Sequence, residues 1–166
     1  MSQAMPTPVR QLLWLALVAA LVACSAESTL HSLQKEFSQR KGELNELKDL
    51  MLSLSDSAGD FRYLSSTDML DFFDNQPRIP VSEALNSRFP KHKGDLLKVQ
   101  AIVHDVGIAY VSVEKASRTV WVTMKGGGVL GADKGYLYAG EMDISSYRLE
   151  HVIPIRGESN WYAFFD

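Results

Sequence analysis

Ile108-Ala109-Tyr110-Val111-Ser112-Val113-Glu114, Lys115-Ala116-Ser117-Arg118 and Thr119-Val120-Trp121-Val122-Thr123-Met124-Lys125 follow one another without a break, and their reading decides the fold class. In the last run Val120, Val122 and Met124 face opposite to Thr119, Trp121 and Thr123, the two-residue period of a strand with one buried face. The four residues between the runs are a turn signal. So short a connection requires antiparallel pairing, because a parallel crossover needs a dozen residues or more.

Working outward from this hairpin, Tyr136-Leu137-Tyr138, Tyr147 to Ile153 and Trp161 to Phe165 read as further strands. Upstream, Leu97, Val99, Ala101 and Val103 alternate with Lys98, Gln100 and His104, which predicts one more, and Asp105-Val106-Gly107 then turns the chain. Before Gly94 the pattern is helical. One short helix is expected from a Ser66 cap through Met69, Leu70, Phe72 and Phe73, stopped by Pro77 and Pro80. A second covers Ser82 to Phe89 and closes at Pro90. Asp56 to Asp60 is a hinge. The fold class is therefore α+β: a coiled-coil-like N-terminal helix, two short helices, then an antiparallel sheet of five or six strands with one face under helices.

The N-terminal helix rests on a seam. Leu30, Leu33, Phe37, Arg40, Leu44, Leu47, Met51 and Leu54 follow alternating steps of three and four, and only Arg40 is polar. Glu36 with Lys41, and Glu43 with Lys48, have the spacing of charges that meet across a parallel coiled coil. Three uses of the seam fit this pattern: self-association, packing on the chain's own domain, and docking on another protein.

Ahead of the seam, Leu12 to Ala23 is a run of 12 apolar residues after a polar start whose one charge is Arg10. It has the length of a signal-peptide core and falls short of the ~20 residues of a membrane span. It ends in Leu21-Val22-Ala23-Cys24, which resembles the lipobox of bacterial lipoprotein precursors, and Cys24 is the one cysteine of the chain. The resemblance covers residues 1–25. It implies cleavage before Cys24, a diacylglycerol on its sulfur, and acylation such as palmitate on its new amino group. Two or more chains hold a protein stably on a bilayer. Ser25 resembles an outer-membrane sorting signal. The expected organisation is a signal peptide at 1–23, a lipid-anchored helical stalk at 24–60 and an α+β domain at 61–166. The implied location is the cell envelope, at an outer membrane facing the periplasm or the cell surface if the host is Gram-negative.

Composition adds exclusions. A net charge of −3, a pI of about 5.8 and interspersed charges argue against nucleic acid as a partner. Gly126 to Gly131 formally match G-x-G-x-x-G, but Ala132 to Tyr138 read as a turn and a strand where a dinucleotide site needs a helix. No cofactor is expected. His31, His92, His104 and His151 lack metal spacing, and Asp68, Asp71 and Asp74 read as a solvated helix face, so no metal is expected either. His104 and Asp105, as strand neighbours, point to opposite faces and form no dyad. No serine sits in a nucleophile motif.

What remains is a non-enzymatic binding or structural module of the envelope. Its candidate partner-binding residues are Gly127 and Gly128 in the glycine-rich loop, with Tyr136, Tyr138 and Trp121 beside them and Tyr110 near. The partners implied are the membrane, through Cys24, and an envelope protein or a second copy through the seam. An enzyme or enzyme inhibitor acting on cell-wall material is the alternative, with a carrier of small apolar ligands third.

Overall fold

The computed structural model describes the backbone of residues 7–74, 77–125 and 133–166, and side chains from Ala26 onward. Its element order is α1 (Thr7–Ala58), β1 (Phe61–Leu64), β2 (Met69–Phe72), β3 (Ile79–Pro80), α2 (Val81–Ser87), α3 (Lys93–Val106), β4 (Ile108–Glu114), β5 (Thr119–Met124), β6 (Lys134–Tyr138), β7 (His151–Pro154) and β8 (Trp161–Phe165). The strands form one antiparallel sheet in the order β3-β2-β1-β4-β5-β6-β8-β7. The class is α+β, as the alternation around Trp121 requires, with eight strands where five or six were expected.

Three strands at the N-terminal end of the sheet are additional, and one of them, β2, replaces an expected helix. Met69 to Phe72 pairs with Phe61 to Leu64 in a hairpin, Tyr63 opposite Leu70 and Phe61 opposite Phe72. Leu70 and Phe72 are buried while Met69 and Asp71 are less so, a period of two that the adjacent apolar pairs conceal. Asp68 closes the turn with φ 49, in the left-handed region that aspartate tolerates better than most residues. Asp68, Asp71 and Asp74 therefore share no helix face. Asp71 binds Arg78 and Asp74 binds Arg88.

The opposite correction applies to residues 97–103, which lie inside helix α3. Leu96, Val99, Val103 and Val106 are its buried residues, at steps of three and four, whereas Leu97 and Ala101 are exposed. Val99 and Val103 belong to both the strand and the helix period, and burial of Leu96 and Val106 breaks the tie. Asp95 favours the helix start electrostatically, and Gly107 ends it with φ 81. Helix α2 lies where Ser82 to Phe89 predicts it. Before β7 the chain makes a 3-10 turn at Ile144–Ser146, so β7 is shorter than the expected strand from Tyr147.

One core cluster runs from Ala26 to Phe165, and the helical seam belongs to it. Leu44, Leu47, Met51 and Leu54 are fully buried, and Leu30, Leu33 and Phe37 nearly so. Phe37 meets the rings of Tyr136 and Trp161 edge-on, with centroids 5.4 and 5.2 Å apart. The side chain of Trp161 donates through Nε1 to Asn45 Oδ1 at 3.0 Å. From Ala26 on, the expected stalk is thus a core helix, and the boundary at residue 60 is only a tight turn. Of the three uses open to the seam, packing on the chain's own domain is the one this structure has, with the sheet occupying it. The flanking charges are used internally too: Lys41 pairs with Glu158, Glu43 with Arg40, and Lys48 lies over the Tyr138 ring. Arg40, the polar break in the seam, bridges to Asp105 at the end of α3.

Helices α1, α2 and α3 all take up one face of the sheet. Phe61, Tyr63, Val111, Val113, Val120, Val122, Tyr136 and Trp161 point into that layer and are buried. Arg62, Tyr110, Ser112, Glu114, Trp121 and Thr123 alternate with them, so they stand on the other face.

Candidate functional site

A cavity of about 330 Å³ opens on the helix-free face. Its walls include Arg62 of β1, Ser112 and Glu114 of β4, Trp121 and Thr123 of β5, and Phe164 of β8. Phe73, Tyr110, Asp133, Leu149 and Asp166 complete the rim. The volume is at the small end of ligand pockets, which run from about 300 to 1,000 Å³.

Alternation sets the position of each wall. Arg62 is flanked in the sequence by the core residues Phe61 and Tyr63, so its side chain must leave by the open face. Ser112 sits directly opposite Arg62 on one side and opposite Trp121 on the other. The guanidinium of Arg62 lies over two rings, 5.0 Å from the centre of Tyr110 and 5.5 Å from that of Phe73. Such contacts hold a cation without neutralising it. Asp71, its direct neighbour on β2, is taken by Arg78. Arg62 forms no ion pair among the described residues, and its Nε is buried without a hydrogen-bond partner.

Opposite this cation are acids. Tyr110 donates its hydroxyl proton to Asp133 Oδ2 at 3.0 Å, and burial, followed by that carboxylate, pushes the phenol's pKa up. The Asp166 backbone N–H donates to the Asp133 carbonyl at 2.9 Å, placing the two residues side by side at the ends of the neighbouring strands β6 and β8. Trp121 is fixed between Tyr147 and Phe164, both edge-on, with centroids 5.0 and 5.5 Å away. Among the described residues no group of three or more His, Cys, Asp or Glu side chains could hold a metal ion.

The sequence-predicted aromatic group is divided by the sheet. Trp121 pairs with Leu137, so Leu137 shares its face and Tyr136 and Tyr138 point the other way. Tyr136 is fully buried beneath α1, and Tyr138 packs on Trp161 with a centroid distance of 5.5 Å. Trp121 and Tyr110 alone reach the open cavity. Gly127 and Gly128 lie outside the described residues, as does the side chain of Cys24, although helix α1 spans position 24. Sequence reading missed Arg62, Glu114, Asp133 and Asp166. The available signal was Phe61-Arg62-Tyr63-Leu64, an apolar run with one charge at an alternating position.

A second polar cluster ties the β1–β2 turn to α3. The Tyr63 hydroxyl donates to Asp68 Oδ1. Gln100 Nε2 donates to the same oxygen at 3.1 Å, and His104 Nε2 lies 3.0 Å from it and 3.1 Å from the Tyr63 oxygen. The Tyr63 hydrogen bond first, and then that of His104, hold the Asp68 carboxyl below its usual range, while burial first raises the Tyr63 phenol. His104 thus has a carboxylate partner, Asp68 rather than its neighbour Asp105. With one oxygen of Asp68 saturated by these groups and Tyr63 fully buried, the cluster is a clasp between two elements.

Comparison with known proteins places the chain in no family: no family model matches it, and neither a curated protein nor a solved structure does. Among the described residues no helix is long and apolar enough to cross a membrane.

Proposed function

We propose that this chain is a lipid-anchored protein of the bacterial cell envelope, and that its folded part is a non-enzymatic binding module working through the helix-free face of the sheet. The anchoring half rests on the apolar run that ends in Leu21-Val22-Ala23-Cys24, with no second cysteine to pair with. One observation carries the binding half. The seam of α1 is consumed by the chain's own core, while the opposite face keeps a cavity lined by rings and by a cation with no ion pair among the described residues. Large side chains left on a concave surface are the usual mark of a recognition site.

The test is photo-cross-linking in intact cells. A photoreactive phenylalanine at Phe73, which is 46% exposed on the cavity rim, is expected to capture an envelope component. The same probe at Lys98, exposed on α3, is the control. Adducts from Lys98 alone, or from neither position, would contradict the proposal.

The alternative, an enzyme acting on cell-wall material, has one observation in its favour: Glu114, Asp133 and Asp166 border the same cavity. Paired carboxylates can serve as general acid and base. That reading requires turnover of cell-wall fragments that Glu114→Gln abolishes, and the binding-module reading requires none.

A further inference from the structure

The geometry points to a short peptide with free ends as the ligand of the open-face cavity, its carboxylate on Arg62 and its amine toward Asp133 and Asp166. This assignment rests on the binding-module reading and narrows it to a ligand class.

Three features lead to it. First, Arg62 is a cation held in place but not paired among the described residues. Its guanidinium lies against Tyr110 and Phe73, its Nε is covered, and the neighbouring Asp71 is spent on Arg78. The edge left for a ligand is the terminal Nη pair, a planar fork that fits a carboxylate with two parallel hydrogen bonds. A desolvated, unpaired cation is costly, and an incoming anion relieves that cost.

Second, the rest of the rim has the opposite charge. Glu114, Asp133 and Asp166 give the lining an excess of acid over the one arginine, which disfavours a simple anion such as a dicarboxylate. A ligand matching both signs carries an amine as well.

Third, the two charges are separated by a tyrosine. Arg62 lies over the Tyr110 ring, and Asp133 accepts a hydrogen bond from the hydroxyl at the far end of that ring. A single α-amino acid carries its ammonium and carboxylate on one carbon and would fill only part of a cavity of about 330 Å³. A chain of two or three residues spans the gap, and its side chains meet Trp121 and Phe164. Ser112, on the floor between, offers its hydroxyl to a peptide group, whereas that of Thr123 already bonds Tyr110.

Isothermal titration calorimetry of the full chain in mild detergent tests this with four probes: dialanine, trialanine, trialanine amide and N-acetyl-trialanine. One of the free peptides is expected to bind, and each blocked form to bind about tenfold or more weakly, because each loses a charge-assisted contact. Arg62→Gln should abolish the preference for a free carboxylate, and Asp133→Asn the preference for a free amine. Equal binding of the free and amidated peptides overturns the proposal, as does undiminished binding by Arg62→Gln. If that variant fails to fold, the blocked peptides on the unaltered chain decide the matter alone. If no peptide binds while the Phe73 cross-link still forms, the ligand assignment falls and the binding module stands. If neither occurs, both fall.

Discussion

The Tyr136 hydroxyl donates a hydrogen bond to the backbone carbonyl of Leu33, 3.1 Å away, and joins the middle of the sheet to a helix 103 residues earlier in the chain. The bond is buried, and burial pushes the Tyr136 phenol well above its ordinary pKa. A helix standing clear of the domain could not accept it. Tyr136→Phe keeps the ring packing against Phe37 and removes only the hydroxyl. It should cost about 1 kcal/mol, the net worth of a typical buried hydrogen bond. Thermal denaturation reads this as a fall in Tm of about 2–4 °C for a chain of this size.

The same relationship separates the three uses of the seam. Leu44 and Leu47 are fully buried inside one chain. Leu44→Ala should therefore destabilise by about 2–5 kcal/mol, the range for truncating a core leucine. The Tm of the unaltered protein should not change with protein concentration. A melting temperature that rises with concentration, as mass action demands of a coiled-coil oligomer, would place the seam between copies instead.

Gly135 is fixed by space. A β-carbon there would lie 1.9 Å from the carbonyl oxygen of Val122, which is backbone and cannot rotate away. Gly135→Ala should cost about 3 kcal/mol or more, the upper range of overpacking. Circular dichroism and the urea midpoint would register it. The equivalent change at Gly42, where nothing lies within 4 Å, should stabilise helix α1 by up to about 1 kcal/mol.

The Asp68 clasp has a pH signature. Its carboxyl is held below the usual range chiefly by the Tyr63 hydrogen bond. A depressed carboxylate contributes stability above its unfolded pKa of about 3.9 and loses it as pH falls through the lower, folded value. Asp68→Asn keeps a residue that tolerates the positive φ. Near neutral pH it should be less stable by under about 1 kcal/mol, because the side chain is half exposed and solvent screens it. The difference between the two proteins should shrink below about pH 4. A difference that grows on acidification would reverse the assigned sign.

How far the fold is legible in the sequence depends on whether one period stands alone. From Thr119 to Met124, Val120, Val122 and Met124 alternate with Thr119, Trp121 and Thr123 with no competing helical reading, and strand and facing are both plain. From Leu96 to Val106 the two periods share Val99 and Val103, and only the buried neighbours decide between them. In the β1–β2 hairpin the pairs Met69-Leu70 and Phe72-Phe73 imitate a helix, and the pairing of Tyr63 with Leu70 is a long-range choice that local pattern does not contain. The seam is plainly apolar, yet its partner is a sheet formed by later residues. The site is the least legible part. Arg62, Glu114, Asp133 and Asp166 meet because strands β1, β4, β6 and β8 are arranged across one sheet, which no spacing in the sequence encodes.

Location is the claim on which the functional reading stands, and one mass spectrum of the protein purified from the envelope of its natural host tests it directly. The expected species is a chain that begins at Cys24 and carries a thioether-linked diacylglycerol on its sulfur and an acyl group on its amine. A mass corresponding to a free Cys24 thiol, or to a chain that still begins with residues 1–23, would contradict it.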